Sequence, residues 1–209
     1  IYRNIRKTIH FLLSCNIGEI LVVFAAFLLG APAPLLAIQL LWVNLVTDSL
    51  PALALGTDPI DRDVMKEPPH PREEGVFSGG MGFSVAVEGC LVGALALLSY
   101  TMGRAWFDAD PMEPAIGRTM AFAVLSLSQL VHSFNMRSEH SVLRLGIFSN
   151  KKLVAAGLFC GFLMVSVVLF PPLMAIFRTT ALTGFQWLLV AGLSLFPLVA
   201  VEGEKLLLG

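Results

Sequence analysis

Apolar blocks of about 20 residues recur along this chain, each separated from the next by a polar or proline-rich stretch. A helix of roughly 20 residues crosses the ~30 Å hydrocarbon layer of a bilayer. Hydrophobic residues make up 56% of the chain and charged residues 14%, whereas soluble domains carry about 25% charged residues. The chain is therefore predicted to be an all-α membrane protein with the lipid bilayer as its solvent.

The apolar blocks predict a bundle of six transmembrane helices. Their expected ranges are about 1–29, 35–56, 80–103, 116–135, 152–170 and 184–203, with a polar loop over about 57–79. Six spans place both chain ends on one side of the membrane, and most lysines and arginines fall on that side. Because cytoplasmic loops are enriched in these residues, the termini and the loop over 57–79 are predicted to be cytoplasmic.

Polar side chains are concentrated within the first two predicted spans. Such groups are costly inside a bilayer and are therefore candidates for function. Asn16 and Glu19 lie three residues apart, which places them on one helix face. Asn44, Thr47 and Asp48 share a face of the second span in the same way. These five residues are predicted to form an ion site, although single polar residues in membrane helices often only join helices.

A proline follows the second group of polar residues. Pro51 has no N–H, so the second helix is predicted to unwind near Pro51 and to free backbone carbonyl oxygens for an ion. The predicted donors are carboxylates, amides, a hydroxyl and carbonyls, which all bind through oxygen. Hard cations such as Ca²⁺ prefer this donor set, whereas zinc and copper favour imidazole and thiolate.

Three further polar residues lie at membrane depth in the third and fourth spans. Gln129 shares a face with Ser126 and Ser133, which fits either a third wall of ligands or a hydrogen-bonded helix contact. Glu88 is expected to be a packing carboxylate, or one that supports the ligands, rather than a ligand itself. His132 is expected to be a helix-packing or an interfacial residue.

Two segments carry a family resemblance. SCNIGEI at 14–20 and LLWVNLVTDSLPALALGTDPID at 40–61 resemble the fifth and sixth membrane helices of P-type Ca²⁺-ATPases, most closely the sarco/endoplasmic-reticulum-like type IIA subgroup and its bacterial relatives. PIDRDVMKEPPHPREEGVFS at 59–78 resembles the loop between helices six and seven of that family. The resemblance is specific over about the first 80 residues, and it implies a C-terminal membrane domain of helices five to ten.

The resemblance implies that six residues on three helices are metal ligands. They are Asn16, Glu19, Asn44, Thr47, Asp48 and Gln129. Gln129 stands where the reticulum pumps place a glutamate, and the loss of that negative charge leaves the number of ions per cycle open. The resemblance also assigns Asp58, Asp61 and Asp63 to a loop that couples the membrane helices to the phosphorylation domain.

The implied activity is that of an ATP-driven translocase that moves Ca²⁺ and exchanges it for protons at Glu19. Mg²⁺ and ATP would bind elsewhere in the parent protein, together with its actuator, phosphorylation and nucleotide domains and helices one to four. The chain is expected to be a fragment that is inactive alone. The expected location is a bacterial plasma membrane, and nothing indicates nucleic-acid binding.

Other functions remain open from the sequence. Mn²⁺ also accepts oxygen ligands, so a Mn²⁺ or other cation pump is an alternative. A stand-alone ion channel or carrier is a second, although the chain opens as though within a helix. A membrane scaffold is a third, and it predicts that Glu19 and Asp48 can be replaced without loss of transport.

Overall fold

The structure is a computed structural model that describes residues 2–58, 75, 77, 80–137 and 150–208. Over these residues the chain is helical and contains no strand, which confirms the all-α fold class. The elements in chain order are α1 (Tyr2–Leu28), α2 (Ala37–Trp42), a π-helical segment (Val43–Asp48), α3 (Ser49–Gly56), α4 (Met81–Trp106), α5 (Ala115–Asn135), α6 (Lys151–Leu169), α7 (Pro171–Phe177) and α8 (Gly184–Leu208).

Five stretches of the described residues are long and apolar enough to cross a membrane. They are Tyr2–Leu28, Ala37–Gly56, Met81–Trp106, Lys151–Leu169 and Gly184–Val201. These helices make the chain a multi-pass membrane protein. The fourth predicted span corresponds to α5, which has 21 residues but carries many serines and other polar residues. Helix α5 can carry these polar residues because other helices surround it, and it does not need to face water.

Helix α5 lies at the centre of the bundle and packs against α1, α3, α4, α6, α8 and the π-helical segment. Every residue from Met120 to Leu125 is fully buried. A helix that is buried on all sides belongs in the core of a protein. The core around α5 takes Val22 from α1, Val92 from α4 and Val190 from α8. Polar side chains on α5 therefore face other helices, which is where a shared site can form.

Glycines allow α1 and α4 to pack at very short distance. A Cβ added at Gly89 would lie 2.7 Å from Cγ2 of Ile17, and one added at Gly93 would lie 2.9 Å from the carbonyl oxygen of Gly18. Small residues permit this close approach of membrane helices, which is stabilised by van der Waals packing. The contact fixes α4 behind the face of α1 that carries Glu19.

The second span changes its winding within the bundle. It is α-helical to Trp42, π-helical from Val43 to Asp48 and α-helical again from Ser49. The Ser49 hydroxyl donates to the carbonyl of Asn44 at 2.8 Å. Single π turns are rare and occur often at functional sites. The irregular winding ends before Pro51, which lies within a continuous run of helical residues and has no N–H to donate to the preceding turn.

A network around Asp58 ties several elements together at one end of the bundle. Lys7 Nζ lies 3.1 Å from Oδ2 of Asp58, and Asn150 Nδ2 donates to Oδ1 at 2.7 Å. Arg137 Nε lies 3.6 Å from Oδ1, and Asn4 Nδ2 donates to the Asp58 carbonyl at 2.9 Å. These residues come from α1 and from the ends of α3, α5 and α6. We call this region the basic end of the bundle.

Replacing Asp58 with alanine should lower the thermal stability of the membrane domain. The change removes a buried carboxylate that both Lys7 and Arg137 contact. Loss of one partner of such a pair costs about 3 kcal/mol, or roughly 5–10 °C for a domain of this size. The measurement is the reaction of the buried Cys15 and Cys160 thiols with a fluorogenic maleimide on heating.

Asp110→Ala is the matched control for this experiment, because Asp110 is exposed and its carboxylate accepts from the nearby Met112 backbone. The two variants should differ clearly in the temperature of thiol exposure. Equal temperatures for both would show that the network at the basic end contributes nothing to stability.

Candidate cation site

Glu19 is the centre of the candidate site. It lies on α1 with 7% of its surface exposed. Asn44 Nδ2 donates to its Oε2 at 2.6 Å, and Gln129 Nε2 donates to its Oε1 at 3.3 Å. The Glu19 carboxylate thus connects α1 with the π-helical segment and with α5. The three residues involved are far apart in the sequence.

Asp48 lies close to Glu19 and ends the π-helical segment. It is 1% exposed, and neither carboxylate oxygen accepts a hydrogen bond from an N–H or O–H group of the described residues. The Cys15 thiol faces this carboxylate, but a thiol is only a weak donor. A buried carboxylate without compensation costs several kcal/mol. A bound cation would supply the missing positive charge.

The amide and hydroxyl groups of the site use their hydrogens within the protein. Asn16 Nδ2 donates to the Leu12 carbonyl at 2.8 Å, and the Thr47 hydroxyl donates to the Val43 carbonyl at 2.8 Å. Asn44 Nδ2 donates to the Leu40 carbonyl as well as to Glu19. The oxygen atoms of these side chains keep lone pairs that a cation can use.

The same pattern holds for Gln129 on α5. Its Nε2 donates to Glu19, while its buried Oε1 has no hydrogen-bond partner in the described part of the chain. Buried polar atoms normally find a partner, so an orphaned oxygen calls for an explanation. A bound cation would give this oxygen a partner.

The predicted ligands are therefore brought together to different degrees. Glu19, Asn44 and Gln129 are directly hydrogen-bonded, and Asp48 lies within electrostatic reach of Glu19. Asn16 and Thr47 bond to their own helices. In the described ranges no three His, Cys, Asp or Glu side chains cluster as a metal site. Amide and carbonyl oxygens would thus complete any coordination shell of six to eight oxygens.

The remaining predicted residues lie outside this cluster. Asp58 is at the basic end, where it joins helices, and Asp61 and Asp63 lie outside the described residues. Glu88 contacts two histidines. One of these is His10, which the sequence analysis did not single out, because nothing in the spacing of residues shows which helices adjoin.

Comparison with known proteins places these residues in a family. The family described as "Cation transporting ATPase, C-terminus" matches residues 32–207. The chain is similar to "Calcium-transporting ATPase 1" of Bacillus cereus, with 48% identity over 99% of this chain and 24% of the relative. It is 46% identical to "Calcium-transporting ATPase" of Bacillus subtilis, over 99% of this chain and 23% of the relative.

A more distant relative is "Calcium-transporting ATPase 1" of Lactococcus lactis, which is 35% identical over 100% of this chain and 23% of its own length. The chain thus spans about a quarter of the length of these relatives. The family match covers most of the α-helical bundle, including the π-helical segment and the helix that carries Gln129. The chain belongs to the family of cation-transporting ATPase C-terminal domains.

Proposed function

We propose that this chain is the translocation domain of an ATP-driven Ca²⁺ pump. The carrying observation is the buried pair of carboxylates, Glu19 bonded by two amides and Asp48 without a compensating donor. Polar groups held inside a transmembrane bundle mark ion pathways. The names of the similar bacterial proteins, which are calcium-transporting ATPases, support Ca²⁺ as the cargo.

The ligand set suits a cation that is exchanged for protons. Two adjacent buried carboxylates need positive charge beside them, and either a divalent cation or protons can provide it. Glu19 accepts from Asn44 and Gln129, so its oxygens are already oriented when a cation arrives. Movement of α1 against α5 would separate these oxygens and weaken binding, as an alternating-access pump requires.

The rest of the pump supplies the energy. We infer that ATP and Mg²⁺ bind in the other three-quarters of the parent protein, which would contain the actuator, phosphorylation and nucleotide domains and the first four membrane helices. Exposed apolar side chains, among them Phe27, Phe83, Phe162 and Leu188, support a lipid surface around the bundle. The proposed location is a bacterial plasma membrane, with both termini and the loop over 57–79 in the cytoplasm.

The direct test uses the full-length protein in sealed lipid vesicles. ATP should drive the accumulation of radioactive Ca²⁺, and uptake should stop when ATP is withheld. Uptake of Mn²⁺ is measured in parallel, because both ions accept oxygen ligands. Passive Ca²⁺ flux without ATP would indicate a channel, and transport of Mn²⁺ in preference to Ca²⁺ would refute the proposed cargo.

Gln129→Leu should weaken Ca²⁺ activation of ATP hydrolysis by about 10-fold. The change removes a ligand oxygen and also the donor to Oε1 of Glu19, and one such interaction is worth about 1–1.5 kcal/mol. The matched control is Gln186→Leu on α8, whose amide oxygen accepts from the Thr183 backbone at 2.8 Å. The apparent Ca²⁺ affinity of the control should be unchanged. An equal loss in both variants would remove Gln129 from the ligand set.

A further inference from the structure

We propose that His10, Glu88 and His132 form a proton-binding site that is separate from the cation ligands. The three side chains come from α1, α4 and α5. None of them belongs to the hydrogen-bonded cluster around Glu19, and the proposed cation transport does not need them as ligands. They form a second group of ionisable residues inside the same bundle.

Both imidazoles approach one oxygen of Glu88. Nε2 of His10 lies 2.6 Å from Oε2, and Nε2 of His132 lies 3.4 Å from the same atom. The Ser14 hydroxyl donates to this oxygen at 3.3 Å. A nitrogen and an oxygen at 2.6 Å would repel each other through their lone pairs unless a proton lay between them. At this distance His10 and Glu88 form an ion pair when the imidazole is protonated.

The charge of the cluster favours the uptake of one further proton. With both imidazoles neutral, the cluster carries a net charge of minus one from Glu88. The exposed fractions of the side chains are 18% for His10, 13% for Glu88 and 1% for His132, so water does little to compensate that charge. One imidazolium makes the cluster neutral, which lowers the cost of burying it. A second would give the cluster a net charge of plus one, which is again costly to bury.

The ring nitrogens of the imidazoles offer lone pairs to which this proton can bind. Both ring nitrogens of His132 and Nε2 of His10 are buried and make no hydrogen bond in the described part of the chain. Each imidazole that donates through Nε2 keeps a lone pair on Nδ1. Binding there converts a neutral imidazole to imidazolium, while its Nε2 stays 3.4 Å from Oε2 of Glu88. No other bond forms or breaks.

Among the described residues, the charges that act on Glu88 belong to the cluster itself. The groups that act electrostatically on Glu88 are His10 and His132. The Cys15 thiol on α1 is also within reach of Glu88. Helix α8 packs against α4 as well, and its sequence from 184 to 201 contains no titratable side chain. The proton count of the cluster is thus set by the two histidines and the one carboxylate.

The cluster lies next to the cation site along two helices. His132 follows Gln129 by three residues on α5, which is less than one helical turn. Ser14, which contacts Glu88, precedes Glu19 by five residues on α1, or about 7.5 Å along the helix axis. A proton held on this cluster places positive charge on the side of the cation ligands that faces the basic end.

The test counts protons on the two imidazoles directly. The full-length protein is labelled with ¹⁵N-histidine, reconstituted in lipid, and followed by solid-state NMR from about pH 5.5 to 8, the range in which histidine commonly titrates. His10→Gln and His132→Gln assign the two sets of signals. The expected result is the gain of one proton by the pair across this range as the pH falls.

Glu88→Gln separates proton binding from a structural contact. Glutamine keeps an oxygen that accepts from both imidazoles but carries no charge, so the coupled uptake of a proton should disappear. Glu113→Gln, an exposed carboxylate outside the bundle, is the control and should leave the count at one.

Two results would overturn the proposal. Either both imidazoles of the unmodified protein stay neutral down to the lower end of the range, or Glu88→Gln binds the same proton as the unmodified protein. The first result is measured on the unmodified protein, so the proposal can be refuted even if Glu88→Gln does not fold. Neither depends on Ca²⁺ transport, so a failure here would leave the proposed pump function standing.

Discussion

Asp48→Asn in the full-length protein should abolish ATP-driven Ca²⁺ uptake, with a loss of apparent Ca²⁺ affinity on the order of 100-fold or more. Asparagine has nearly the shape of aspartate, so the packing of the π-helical segment should survive. What it lacks is the buried negative charge, which has no N–H or O–H partner among the described residues and which a cation would compensate. The measurement is Ca²⁺ uptake into vesicles over a wide range of Ca²⁺ concentrations.

The control for this variant is Asp110→Asn, which removes an exposed carboxylate near the start of α5. It should transport as the unmodified protein does. Both variants should show the same temperature of thiol exposure, which excludes misfolding as the cause of lost transport. Normal Ca²⁺ uptake by a folded Asp48→Asn protein would contradict the assignment of this residue as a ligand.

Gly89→Leu should prevent the bundle from assembling. Even the first carbon of a side chain at this position would lie 2.7 Å from Cγ2 of Ile17 and 2.8 Å from the carbonyl oxygen of Ser14. A leucine would force α4 away from α1, and overpacking of this kind costs about 1–3 kcal/mol or more. We expect the yield of monodisperse protein after detergent extraction, measured by size-exclusion chromatography, to fall at least several-fold.

Gly82→Leu provides a matched control, because it makes the same substitution on the same helix. No atom lies within 4 Å of a Cβ placed at Gly82, so the leucine side chain has room. Its yield should equal that of the unmodified protein. If Gly89→Leu were extracted as well as Gly82→Leu, the close contact between α1 and α4 would not be needed for assembly.

The sequence was informative about the fold for a simple physical reason. A bilayer accepts few backbone structures, and a helix satisfies its own backbone hydrogen bonds. Long apolar blocks therefore predicted an all-helical membrane protein, and the structure confirms it. Helix α5 shows the limit of this reasoning, because a helix surrounded by protein can carry serines and Gln129 without contacting water.

The candidate site was predictable in its residue types but not in its geometry. Spacing along one helix placed Asn44 and Asp48 on a common face, but it could not show that Asn44 bonds to Glu19. Pro51 indicated an irregular helix, yet the change in winding lies before it, over Val43–Asp48. A proline removes the backbone N–H at its own position only. The position of a π turn depends on how the whole span packs.

The pairing between the two histidines and Glu88 was not predictable either. His10, Glu88 and His132 are separated by 78 and 44 residues in the sequence, and each alone fits an ordinary packing residue. Only the arrangement of α1, α4 and α5 brings them to one point. Long-range polar contacts of this kind follow from helix order in the bundle, which the pattern of hydrophobic residues does not specify.

The direction of the amide groups around Glu19 has a consequence for the sign of the ion that the site can bind. The amide nitrogens of Asn16, Asn44 and Gln129 each donate to a carboxylate or a backbone carbonyl, which leaves their oxygens for a bound ion. These oxygens and the two carboxylates favour a cation over a chloride ion. Charge discrimination is therefore built into the orientation of neutral side chains as well as into the two carboxylates.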